Sequence, residues 1–86
     1  MTDRELLELA AKAAGIAHVT PMMIEWGQWN PLTDDGDALR LAVKLALFES
    51  FDFSLKISAA CSEDDPLAAT RRAIVKAAAE IWKGVA

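Results

Sequence analysis

Three aspartates, Asp34, Asp35 and Asp37, form the densest group of side chains in the sequence that could hold a cation or move a proton. Hard cations prefer clustered carboxylate oxygens, and paired carboxylates can serve general acid–base catalysis. Their spacing does not fit an EF-hand loop, which needs a glycine at its sixth position and a glutamate at its twelfth. Because the aspartates lie between Asn30-Pro31 and an apolar periodic segment, capping of a helix explains them without a metal. We therefore predict neither a metal site nor a cofactor site here.

A nucleophilic pair is formally available, since the chain contains one cysteine, Cys61, and one histidine, His18. Cys61 ends a segment of alternating polarity and is interpreted as a small core residue. One cysteine cannot form an intramolecular disulfide, and one cysteine with one histidine falls short of a zinc ligand set. The sequence thus predicts no catalytic residues, and we expect the protein not to be an enzyme.

A basic patch is predicted on the last helix, formed by Arg71, Arg72 and Lys76. Its functional interpretation is contact with nucleic-acid phosphates, and its alternative is a solvated helix face. The formal net charge of −4 and the pI near 4.8 argue against nucleic acid as a partner. Nucleic-acid binding is therefore kept only as an alternative.

A second candidate surface combines Trp29 with Asp34, Asp35 and Asp37, as an acidic contact surface with an aromatic edge. Exposed aromatic residues anchor many protein interfaces. The other tryptophans are Trp26 and Trp82, and we expect at least one of the three to lie in the core. This surface predicts binding of a host or phage protein, with a homodimer as a further alternative.

Three helices must position these residues, and they are predicted over residues 3–14, 34–47 and 66–83. Thr2 and Glu5 have the spacing of a capping box. Asp65 is predicted as the cap of the last helix, with Pro66 at the first helical position. Thr33, Asp34 and Asp35 remain alternative caps of the middle helix. Its predicted inner stripe, on which the other elements would assemble, is Leu39, Ala42, Val43, Ala46 and Leu47.

Two segments have the features of strands. Residues 51–60 alternate apolar and polar side chains, which is typical of a half-buried strand. Residues 22–26 are predicted as an edge strand because they follow Pro21 and are rich in large apolar side chains, and a short extra strand has room near 16–20. We therefore expect one small α+β domain over 1–86, with three helices packed on an antiparallel sheet of two to three strands, in the order α-β-(β)-α-β-α.

Three blocks of the sequence, ELLELAAKAAG, WNPLTDDGDALRLAVKL and DDPLAATRRAIVKAAAEI, cover roughly half of the chain. In this order they resemble a family of small hypothetical proteins of tailed bacteriophages and prophages. The family has no settled biochemical activity, so the resemblance implies a genomic context and no catalytic residues. It implies a phage accessory protein that acts in the bacterial cytoplasm by binding a macromolecular partner.

The remaining composition agrees with that expectation. The start of the chain, MTDRELLELA, has acidic residues where a signal peptide has basic ones. No apolar run approaches the roughly 20 residues that span a bilayer. We therefore expect a cytoplasmic protein that does not contact a membrane.

Overall fold

The computed structural model describes residues 2–15 and 19–84. Over these ranges the chain forms five α-helices and a short 3-10 turn at Leu47–Glu49. The helices are α1 (Asp3–Ala13), α2 (Pro21–Glu25), α3 (Asp35–Lys44), α4 (Phe51–Ala60) and α5 (Pro66–Lys83). Since no strand occurs in the described residues, the predicted α+β class, its antiparallel sheet and its element order are wrong.

The predicted helix starts are confirmed by their caps. The side chains of Thr2, Asp34 and Asp65 each accept a hydrogen bond from the backbone N–H three residues further on. Each bond satisfies a donor that the first helical turn leaves without a partner. Among the alternatives left open for α3, Asp34 is therefore the cap.

The predicted strand over 22–26 is instead α2 with the turn that follows it. Thr20 accepts a hydrogen bond from the Met23 N–H at 3.2 Å, and Pro21 occupies the first helical position. This is the start signal that also begins α5 at Asp65-Pro66. Of the extra strand near 16–20, residues 16–18 lie outside the described residues, and Val19 and Thr20 belong to no strand.

The predicted strand over 51–60 is α4, which begins where Ser50 accepts a hydrogen bond from the Phe53 N–H at 3.2 Å. Residues two apart on a helix differ by about 200°, so an alternating apolar pattern is divided between two nearly opposite faces. Phe53 is only 3% exposed and faces the core, whereas Phe51 is 76% exposed. Helix α4 therefore has an apolar face on each side.

The predicted inner stripe of α3 is also partly wrong. Leu39 and Val43 are more than half exposed, whereas Ala38, Leu41 and Ala42 are buried. Both sets have helical spacing, and packing against α5 decides which one turns inward. The helix also ends at Lys44 instead of residue 47, because the backbone turns left-handed two residues later.

The prediction that the other elements assemble on the stripe of α3 is wrong, because α1, α3 and α4 all pack against α5, and α2 packs against α1. Leu41 of α3 and Val75 of α5 are among the largest fully buried side chains. All five helices contribute to the core, through residues that include Leu7, Ile24, Leu41, Phe53 and Val75.

Candidate functional site

The aspartates at the start of α3 are held by bonds within the protein. Asp34 Oδ2 accepts from the Asp37 N–H at 2.7 Å. Asp37 in turn accepts from the Asn30 N–H at 3.0 Å through one oxygen and from Arg40 at 2.8 Å through the other. These bonds fix the turn at Asn30 against the first turn of α3. No group of three or more potential ligands among the described residues is arranged to hold a metal ion.

The acidic surface and the basic patch meet at Arg71. Its Nη1 donates to Asp35 Oδ1 at 2.6 Å, and its Nε donates to the carbonyl of Leu32 at 2.8 Å. The Arg71 side chain is only 18% exposed, whereas that of Asp35 is 70% exposed. Arg71 thus fastens the segment before α3 to α5, and much of its charge is used inside the protein.

Of the other two residues of the basic patch, Arg72 is paired with a described residue and Lys76 is not. Arg72 donates to both carboxylate oxygens of Asp3 on α1, at 3.1 and 3.2 Å. Lys76 is exposed and takes part in no ion pair with the described residues. Of the three predicted residues, Lys76 alone therefore presents a charge that is not paired within the described part of the chain.

Trp29 is 8% exposed and belongs to the core, while Trp26 and Trp82 are more than half exposed. Because Trp29 is buried, it gives the predicted acidic surface no exposed aromatic edge. Partner binding by this surface stays a prediction.

Cys61 lies at the C-terminal end of α4 and is exposed, so its interpretation as a core residue is wrong. His18, the other half of the formal nucleophilic pair, lies outside the described residues.

A surface that the sequence analysis did not single out lies on the outside of α4. Phe51 and Leu55 are each more than half exposed and lie one helical turn apart, and together they are called the α4 outer face. Phe48, in the 3-10 turn before α4, is also more than half exposed, but it meets the buried Phe53 edge to face, with ring centroids 5.8 Å apart. The alternating pattern of residues 51–60 does indicate this surface, because a helix with that pattern has a second apolar face.

Acidic side chains lie at both ends of α4. Glu49, Asp52, Glu63 and Asp64, called the acidic rim, are all exposed, and none takes part in an ion pair with the described residues. Asp52 also lies in the first turn of α4, where it complements the helix dipole. The only basic residue on α4, Lys56, is paired with Glu80 of α5 at 3.1 Å.

The distribution of charge along the chain is uneven. Residues 48–65 contain five carboxylates and one lysine, a net charge of −4, whereas the remainder contains eight acidic and eight basic side chains. The whole formal charge of the protein is thus carried by α4 and the segments on either side of it.

A groove of about 580 Å³ runs between α4 and α5, beside the α4 outer face. It is lined by alanines and by charged side chains of both signs. Ala59, one helical turn after Leu55, is exposed and lines this groove. The apolar row of α4 therefore continues into a concave surface.

None of the helices in the described residues is long and apolar enough to cross a membrane. A scan against models of protein families found no match, and neither a search of curated proteins nor a search of solved structures found a similar one. The resemblance of the three sequence blocks to a phage family therefore stays a prediction.

Proposed function

We propose that the protein is a non-enzymatic accessory protein that acts by binding a macromolecular partner through the α4 outer face. The observation that carries the proposal is the exposure of Phe51 and Leu55, one helical turn apart on the same side of α4. The phage context of this function rests on the resemblance of the three sequence blocks alone.

The exposed ring of Phe51 is the largest part of this face. A phenylalanine side chain buries about 150–250 Å² when it is fully covered. At 76% exposure, Phe51 alone presents roughly 150 Å² to solvent, before Leu55 is added. Aromatic side chains are enriched where partners cover a protein surface, so this ring is suited to anchor a partner.

The other candidate residues support the same choice of surface. Asp35 and Arg71 bond to each other, and Asp34 and Asp37 bond to the backbone. These groups have structural tasks that account for their positions. The α4 outer face has no such task, because α4 already contributes Phe53 and Ala60 to burial.

Capture from bacterial lysate with matched variants tests the proposal. Phe51→Gln with Leu55→Gln removes the α4 outer face, and Leu39→Gln with Val43→Gln is the control. The control pair is also exposed and also one turn apart, but on α3. We expect the wild type and the control to retain the same partner, and the α4 variant to lose it.

Circular dichroism of both variants checks that the helices remain, since none of the four substituted side chains is buried. Equal capture of the partner by the α4 variant and the wild type would reject the proposal. So would the absence of any specific partner, or loss of the partner in the α3 control alone.

A further inference from the structure

The charge around the α4 outer face indicates what kind of partner it takes, if the proposed function is right. We infer that the partner presents a basic amphipathic helix, with apolar side chains against Phe51 and Leu55 and lysines or arginines opposite the acidic rim. The inference rests on the proposed function and adds the chemistry of the partner.

The apolar row selects a helix as the partner element. Phe51 and Leu55 are one turn apart, about 6 Å along the axis, and Ala59 continues the row into the groove beside α5. Side chains at positions i, i+3, i+4 and i+7 of a second helix match such a row, as in other complexes in which a helix lies in an apolar groove. Addition of a peptide strand would need the edge of a sheet, and the described residues form none.

The acidic rim favours a partner with positive charge. Glu49 and Asp52 lie at one end of α4, and Glu63 and Asp64 follow its other end. Since residues 48–65 carry the whole net charge of −4, the field there repels nucleic acid and anionic lipid surfaces and attracts cationic segments.

The same charges disfavour a second copy of this chain as the occupant. In an antiparallel pairing of α4 with its copy, Asp52 of one chain meets the Glu63-Asp64 end of the other. In a parallel pairing each rim residue meets its own equivalent. Both arrangements bring carboxylates together beside an apolar contact, and like charges across an interface are costly.

The test is a titration of the protein with three sets of fluorescent peptides, measured by anisotropy at about 0.15 M salt. The first set consists of leucine–lysine peptides of several lengths, in which the leucines lie on one face of the helix. An acidic twin replaces each lysine by glutamate, and a scrambled twin keeps the composition but destroys the apolar face. We expect binding of the basic amphipathic peptides only.

Two variants place that binding on the surface. Phe51→Gln with Leu55→Gln is expected to weaken it at least roughly tenfold, because truncating an interface anchor commonly costs that factor. Glu63→Lys with Asp64→Lys is expected to weaken it and to reduce its dependence on salt. Leu39→Gln with Val43→Gln is expected to leave the affinity unchanged.

Binding of the acidic twin or of the scrambled peptide with equal affinity overturns the inference, and so does the absence of binding by every basic amphipathic peptide. A dimer seen by light scattering that disappears in the α4 variant also overturns it, because the occupant is then a second copy. If lysate capture still depends on Phe51 and Leu55 while the peptides fail, the proposed function stands and only the partner's chemistry is wrong. If capture does not depend on them, the proposed function itself falls.

Discussion

Replacement of Arg71 by methionine is expected to lower the free energy of unfolding by about 2–3 kcal/mol. The hydrogen bond from Arg71 Nε to the Leu32 carbonyl is part-buried and has a charged donor, and such bonds contribute about 1.5–3 kcal/mol. The pair with Asp35 adds at most about 1 kcal/mol, because Asp35 is 70% exposed and solvent screens the interaction. Methionine keeps the apolar stem of the side chain, so little packing is lost.

Urea unfolding followed by circular dichroism measures the effect, and the melting temperature is expected to fall by roughly 10–20 °C for a chain of this length. Arg40→Met is the matched control, because Arg40 pairs with Asp37 at an exposed position and should contribute no more than about 0.5 kcal/mol. Asp35→Asn is expected to cost a similarly small amount. If Asp35→Asn destabilises the protein as much as Arg71→Met, the ion pair and not the carbonyl bond fastens the segment before α3, and the reasoning is refuted.

Three further outcomes are expected. Phe53→Ala should lower the free energy of unfolding by about 3–5 kcal/mol and Phe51→Ala by about 0.5 kcal/mol or less; equal losses in urea unfolding would indicate that both rings are buried on one face, as in a strand. Ala46→Gly should raise the melting temperature, since Ala46 has a left-handed backbone with φ of 53°, and a decrease would contradict this. Millimolar Ca²⁺ should leave the melting temperature unchanged, because Asp34 and Asp37 are engaged in hydrogen bonds; a clear rise would indicate a cation site.

The starts of α1, α3 and α5 could be predicted from the sequence because a cap depends on residues within one helical turn. Thr2, Asp34 and Asp65 act through the backbone N–H three residues further on, whatever the rest of the chain does. The same signal was present at Thr20-Pro21. It was outweighed there by the large apolar residues that follow, which led to a predicted strand where α2 lies.

Longer-range features could not be predicted in this way. The alternation in 51–60 fits a strand with one buried face and a helix with two apolar faces equally well. Helix α3 likewise offers two apolar stripes, and its contact with α5 turned Leu41 inward and Leu39 outward. In both cases tertiary packing decides which face of the segment is buried, and the periodicity of that segment alone does not show the outcome.

The candidate sites were misjudged for the same reason, because local sequence does not show contacts between distant residues. The acidic surface and the basic patch were each recognised from local sequence, yet Asp35 and Arg71 are distant in the chain and bond to each other in the fold. Opposite charges that look like two sites in a sequence can be the two halves of one structural contact. Residue types alone do not show which carboxylates will remain unpaired.

The fold separates the charges that hold it together from those left for a partner. The ion pairs that join different elements, Arg72 with Asp3, Arg71 with Asp35 and Lys56 with Glu80, all involve α5, the helix at the centre of the assembly. The net negative charge lies instead on α4 and the segments on either side of it, and the exposed Phe51 and Leu55 lie on the opposite side of α4 from Phe53. Because structural and exposed groups are separated in this way, substitutions at Phe51 and Leu55 should change binding with little change in stability. Substitutions at Arg71 and Phe53 should change stability first, and this difference makes the proposed surface testable in an intact protein.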